Sequence, residues 1–482
     1  MVIGVHRLSH SGRVGLGPHG SGFGYLGIGI TLIGALLGTG VEAQSLVDLA
    51  RQAEKRGMRT GIVVRDLRTG ADLFRHRSRE SFIPASNQKL FTVAAALWGL
   101  SASHRFRTVF RLRGGVLEVL AAGDPNWARG GAHDPAVVFR RVAAALRKAG
   151  ITRIRDVRLL RGAFTGPTRP PGWPKDQFDR PYCAPTGGLV LEAGCFVARI
   201  SAGSGRARVD LLAPPTDASF GGRIKMSSRK KKRFAYWLSH HGKKFTAHGE
   251  FSTRARPVEV RGVCQDPEWL FDSTLRSVLR REGVTLDADA KARDLPVLTW
   301  ESGLTEAFTP MLSKSSNFHA EQVLRRIGAE KKGAGTFVGG YQAVREIVGA
   351  KIELPTAFRV VDGSGLSREN RVTPRLMVTL LRRLFRGEHA KLLAASLPCA
   401  GEGTLERRFR RSGQKIVGRA TRAKTGTING VKCISGIVQT LDDGVRVFTI
   451  LMNVTKGGST SGAAALQDKM IEAIYHGRYP AR

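Results

Sequence analysis

Ser86-Asn87-Gln88-Lys89 runs directly into Leu90-Phe91-Thr92-Val93-Ala94-Ala95-Ala96-Leu97, and this stretch decides the fold. Its composition predicts a helix over 86–100 that is apolar nearly all round. Such a helix is buried on every side, so a polar group in its first turn sits at the edge of a core. Ser86 and Lys89 stand at i and i+3 and share a face. A serine hydroxyl is a poor nucleophile until a neighbouring base takes its proton. A lysine becomes that base when burial and a second cation lower its pKa. The N-terminus of the helix also points backbone N–H groups at any anion formed there. The S-x-x-K spacing alone says little, since it recurs at Ser227, Ser228 and Ser412. Only the copy at Ser86 follows Pro-Ala and opens an apolar helix.

Working outward, Ser315-Ser316-Asn317 lies between Met311-Leu312 and a predicted helix, and no other S-x-N occurs in the chain. Lys424-Thr425-Gly426-Thr427 holds the one K-T-G and precedes an apolar strand at 431–439. S-x-x-K, an S-x-N triplet and K-T-G, in this order, form a mechanistic set for acyl transfer through serine.

With these motifs the chain resembles the class C low-molecular-mass penicillin-binding proteins, the D-Ala-D-Ala carboxypeptidase/endopeptidase family. The resemblance runs from about residue 60 to 475. It includes Phe82-Ile83-Pro84-Ala85-Ser86, Ala122-Gly123-Asp124-Pro125, Pro171-Gly172-Trp173-Pro174 and Asp362-Gly363-Ser364-Gly365. Ser316 departs from it, since Asp is more usual there; this middle residue does not react, and little effect is expected. The resemblance implies an α/β (α+β) fold: a serine β-lactamase/transpeptidase-like catalytic domain whose antiparallel sheet is flanked by helices. That domain is expected to be split, at 44–110 and 296–482, around a β-rich insertion at 111–295 made of two nested domains. The 226 positions between Lys89 and Ser315 agree with such an insertion.

The same resemblance implies the roles. Ser86 attacks the carbonyl of the penultimate D-Ala, and Lys89 takes its proton. Ser315 relays a proton to the leaving nitrogen, and Lys424 supplies positive charge and lowers the pKa of Lys89. Asn317 hydrogen-bonds the substrate amide, and Thr425 and Thr427, around Gly426, hold the terminal carboxylate. The backbone N–H groups of Ser86 and Thr427 form the oxyanion hole. β-Lactams acylate Ser86 as covalent inhibitors, and peptidoglycan stem peptides are the substrate. No cofactor and no metal are required. A β-lactamase-type hydrolase is the enzymatic alternative, and a non-catalytic peptidoglycan- or polyanion-binding protein the other.

Composition bounds the partners. The chain has 482 residues, 77 Lys+Arg against 39 Asp+Glu, and a formal net charge of +38. This length and 42% hydrophobic content make it globular, and its charge draws polyanions. Residues 1–22 hold Arg7 and Arg13 and no acid, 23–40 are apolar or small, and Val41-Glu42-Ala43 precedes Gln44. This reads as a secretory signal peptide over 1–43, removed on export to the periplasm or another extracytoplasmic space. An uncleaved anchor is the alternative. Export removes nucleic acid as the partner and leaves electrostatic association with an anionic wall or membrane surface. The basic run at 229–233 reads as a solvated loop. Among the five cysteines, Cys183 and Cys195 are close enough in sequence for a local disulfide, and free thiols are the equal alternative. No C-x-x-C or H-E-x-x-H spacing occurs. Asp176 reads as a solvated loop acid, with a contact to the stem peptide as its alternative.

Overall fold

The computed structural model describes residues 44–217, 220–228, 236–411, 413–455 and 457–479. The leader read at 1–43 and the basic run at 229–233 lie outside the described residues. At the centre is a five-stranded antiparallel sheet in the order Thr421–Ile428, Val431–Gln439, Val445–Val454, Met58–Asp66, Asp72–His76. The apolar strand expected at 431–439 is here as Val431–Gln439. The K-T-G segment forms the edge strand.

Side chains alternate across a strand, and this sheet buries both faces. Phe448, Ile450 and Met452 pack with Ile62 and Val64 against the terminal helices Leu46–Lys55 and Ala463–Tyr475. Val447 and Leu451 point the other way with Val63. There they meet the helices Lys89–Gly99, Asn317–Lys332, Phe337–Gly349 and Pro374–Phe385. Helix Lys89–Gly99 is buried from Lys89 to Leu97 without a break. Each large apolar side chain it hides stabilises the fold by roughly 1.5–3 kcal/mol.

The region 111–295 carries its own apolar clusters. Strands Leu295–Gly303, Arg105–Arg113, Val116–Leu120 and Asp156–Leu160 form one sheet. Against it pack the helices Pro135–Lys148 and Pro267–Arg281, through Phe139 and Phe271, with Trp127 from a loop in the same cluster. Two three-stranded sheets, centred on Cys195–Ser201 and Lys244–Ser252, share a second cluster around Phe196, Phe245 and Phe251. Both chain crossings into the region run side by side, since Arg105–Arg113 pairs antiparallel with Leu295–Gly303.

One detail differs from the sequence reading. The region is not purely β-rich, because it holds helices of 14 and 15 residues. The apolar run 189–191 is buried but lies outside any strand. All five cysteines are free thiols. No helix among the described residues is long and apolar enough to cross a membrane.

Candidate active site

Ser86 lies in a 3-10 turn, Ala85–Gln88, that feeds the buried helix. In 3-10 geometry residues i and i+3 eclipse, so the turn stacks Ser86 on Lys89 more closely than the α-helix read from sequence. Ala85 enters the turn at φ +45°, a conformation that costs a non-glycine residue roughly 1–2 kcal/mol. Two glycines permit the close packing that holds it. A Cβ on Gly365 would lie 1.8 Å from the Ala85 carbonyl oxygen. One on Gly426, in the edge strand, would lie 2.8 Å from the Pro84 oxygen and 3.1 Å from the Ser86 nitrogen. The edge strand and the 362–365 loop therefore clamp the turn from two sides.

Lys89 is fully buried. Its Nζ is 3.0 Å from Ser86 Oγ, 2.7 Å from Asn317 Oδ1 and 2.7 Å from the Ser364 carbonyl oxygen. A neutral amine has two N–H groups and one lone pair. Asn317 and Ser364 offer only acceptors, so they take the two N–H groups and leave the lone pair facing the Ser86 hydroxyl. Burial pushes Lys89 down to about 7, against a partial upward pull from the Asp362 and Glu321 carboxylates. At neutral pH a large share of the amine is thus free base.

Lys424 is buried on the edge strand, with Nζ donating to Ser315 Oγ at 2.9 Å and to its neighbour's Thr425 carbonyl at 2.7 Å. Its pKa is held well below the lysine range, first by burial and then by the Lys89 charge. The repulsion that sequence reasoning assigned to Lys89 is therefore felt at Lys424, while Lys89 owes its shift to burial. Ser315 is at φ +59°, a second strained residue at the same cleft. Ser316 caps helix Asn317–Lys332 by accepting the His319 N–H, so serine does here what the more usual aspartate does at an N-cap.

Ser86 and Ser315 line two lobes of one cleft. The larger, about 1020 Å³, is walled by Asn317, Leu366, Arg368, Thr427 and, from the inserted region, Gly172, Pro174, Gln177 and Tyr182. The smaller, about 390 Å³, is walled by Thr404, Thr425, Thr427, Arg408 and Lys432. Arg408 is paired with Asp468 at 2.7 Å. Burial and the Arg408 charge lower the pKa of Lys432.

All the residues singled out in the sequence meet here: Ser86, Lys89, Ser315, Asn317, Lys424, Thr425, Gly426 and Thr427. Asn317 differs in detail, because both ends of its amide are used inside the protein, Oδ1 on Lys89 and Nδ2 on the Tyr182 carbonyl at 2.9 Å. Asp176 is exposed and outside both lobes, where its neighbour Gln177 takes the wall position. Three contributors went unread. The Ser364 carbonyl reaches Lys89. Asp362 Oδ2 accepts the Trp173 indole N–H at 3.1 Å, tying the inserted region to the catalytic loop. Glu321 accepts the N–H groups of Gly363 and Ser364. For Glu321 a signal existed: it stands four residues beyond Asn317 and so shares its helical face.

The chain is similar to known proteins along most of its length. The D-alanyl-D-alanine carboxypeptidase of Actinomadura sp. (strain R39) is 32% identical over 448 residues, spanning 86% of this chain and 80% of that protein. Penicillin binding protein 4 (dacB) from Haemophilus influenzae superposes with a TM-score of 0.74 at 21% identity, covering 89% of this chain and 99% of that one. Its complex with a β-lactam superposes at 0.69 over the same shares. Residues 42–473 match the family described as D-Ala-D-Ala carboxypeptidase 3 (S13), and the chain belongs to that family.

Proposed function

We propose that this enzyme is a serine D-Ala-D-Ala carboxypeptidase and/or endopeptidase of peptidoglycan stem peptides, working through a Ser86 acyl-enzyme. The observation that carries this reading is the buried Lys89 amine, 3.0 Å from Ser86 Oγ with its other hydrogen bonds committed. Lys89 takes the Ser86 proton as Oγ bonds to the penultimate D-Ala carbonyl carbon. Charge developing on that oxygen meets the backbone N–H groups of Ser86 and Thr427, each donor of this kind lowering the barrier by about 3 kcal/mol. The C–N bond then breaks, and Ser315, held by Lys424, passes a proton to the departing amine. Water hydrolyses the ester and regenerates Ser86. The larger lobe suits the stem peptide. The smaller suits the terminal D-Ala, whose carboxylate would meet Thr425, Thr427 and Lys432.

β-Lactams enter as covalent inhibitors by the same attack. Among the described residues the one carboxylate lining either lobe is Glu369, and it is ion-paired with Arg359 at 2.6 Å. Among the described residues no free carboxylate lines the cleft around Ser86 to activate a deacylating water, which favours a long-lived acyl-enzyme over a β-lactamase. The test is release of D-Ala from a stem pentapeptide and of a cross-linked muropeptide's halves. The reading expects at least one to proceed, and activity on neither contradicts it.

We infer further that the catalytic domain is split, 44–110 with 296–482, around 111–295, since the inserted region has separate apolar clusters. We also infer that 1–43 is a signal peptide and that the protein works outside the cytoplasm. Electrostatic association with the wall is supported by a hollow of about 750 Å³ beside helix Pro374–Phe385. Arg79, Lys351, Arg375 and Arg383 line it, all exposed, with Glu353 the one carboxylate among its described lining residues. Binding to isolated sacculi should weaken with rising salt. Binding unchanged between low and high salt would remove this part of the reading.

A further inference from the structure

Behind Lys89, the Gly363–Ser364 unit has each backbone polar group taken. Glu321 Oε2 accepts from Gly363 N at 3.0 Å, and Glu321 Oε1 from Ser364 N at 2.8 Å. The Gly363 carbonyl accepts the Thr92 hydroxyl at 2.8 Å. The Ser364 carbonyl accepts from Lys89 Nζ. Glu321 has no exposed surface, and a Cβ on Gly363 would lie 2.8 Å from the Ala320 carbonyl oxygen. A buried carboxylate without partners is costly, and one whose two oxygens each meet a consecutive peptide N–H is fixed in place. The Ser364 carbonyl is the end of this clamp that faces the base.

We propose that Glu321 is a positioning residue of the reaction: it holds the Gly363–Ser364 peptide so that the Ser364 carbonyl turns the Lys89 lone pair onto the Ser86 hydroxyl. The proposal rests on the reading of Lys89 as general base. It acts on the base rather than on substrate, so it changes turnover and leaves recognition alone.

Glu321 also acts through its charge. The groups facing Lys89 are Glu321 from its helix, Asp362 from the loop and Lys424 from the edge strand; Arg325 and Tyr341 face Glu321 itself. Burial and the Asp362 carboxylate push Glu321 up, and the Lys89 charge pulls it back down. A negative Glu321 stabilises the Lys89 ammonium and holds the base in its unreactive form to higher pH.

The test is Glu321→Gln in the full chain, measured as kcat/KM for D-Ala release across pH. The expected result is a plateau lowered about tenfold with KM nearly unchanged, and an acid limb moved to lower pH because the negative charge is gone. Glu321→Asp keeps the charge and shortens the reach. It should restore the position of the limb but not the height of the plateau. Thr92→Val loosens the same peptide from its other side and should lower the plateau without moving the limb. A Glu321→Gln profile lowered by one factor at every pH, or unchanged, overturns the proposal. Failure of the general-base reading looks different, because wild-type enzyme would then show no acid limb near pH 7 at all.

Discussion

The Lys89 amine and the Ser86 hydroxyl stand 3.0 Å apart, with Lys89 wholly withdrawn from water and Ser86 open to the cleft. That asymmetry does the chemistry. Burial removes the proton from the lysine, and exposure offers the serine to substrate.

Acylation should therefore follow the titration of Lys89. The rate constant for β-lactam acylation is expected to rise with pH through an apparent pKa of about 7, set by burial, and level off above it. Lys89→Met should lower that constant by roughly 10²–10⁴-fold. Stability carries the same signature. The unfolded chain keeps the Lys89 proton up to about pH 10.5 and the folded one loses it near 7, so this group's contribution to stability rises with pH between those values. Denaturant midpoints of wild type and Lys89→Met across pH 6–10 check the sign.

Asn317→Ala removes one of the two acceptors that orient Lys89. A hydrogen bond to a charged or polarised group contributes about 1.5–3 kcal/mol, so a loss of roughly 10–100-fold in kcat is expected. The acylation burst with penicillin should shrink in rate and keep its amplitude.

Lys432→Met tests the smaller lobe. With Arg408 already paired to Asp468, Lys432 is, among the described residues lining this lobe, the cation left for a terminal carboxylate. Its loss should raise KM for a D-Ala-D-Ala peptide by about five- to tenfold, or ~1 kcal/mol, and leave kcat close to wild type. A C-terminally amidated peptide should be insensitive to the change.

Gly365→Ala should be costly out of proportion to a methyl group. The residue is at φ +82°, and the new Cβ would lie 1.8 Å from the Ala85 carbonyl oxygen. Strain at one such position is worth roughly 1–3 kcal/mol. Because the displaced residue adjoins Ser86, penicillin labelling should fall together with the melting temperature.

The groups that react were legible because their chemistry lives in side chains at short fixed spacings. Ser86 with Lys89, Ser315 with Asn317, and Lys424 before an apolar strand each left a local pattern. The Ser364 carbonyl left none, since every residue has a carbonyl and only the fold aims this one. Asp362 gave no sign of its tie to Trp173, because that bond joins positions 189 apart in sequence. The two helices of the inserted region had a signal that went unused. Asp134 and Asp266 are N-caps followed by Pro135 and Pro267 at the first helical position, an arrangement that opens helices. The apolar run 189–191 is too short to have a period of its own. It fills a core beside Trp127 without a strand partner.

The central claim is that Ser86 carries the acyl group. The most direct measurement is the intact mass of the protein after exposure to benzylpenicillin, followed by digestion to locate the adduct. The account predicts one penicilloyl group, on the peptide containing Ser86, persisting for minutes or longer, and no adduct on Ser86→Ala. An adduct elsewhere, or equal labelling of Ser86→Ala, would contradict it.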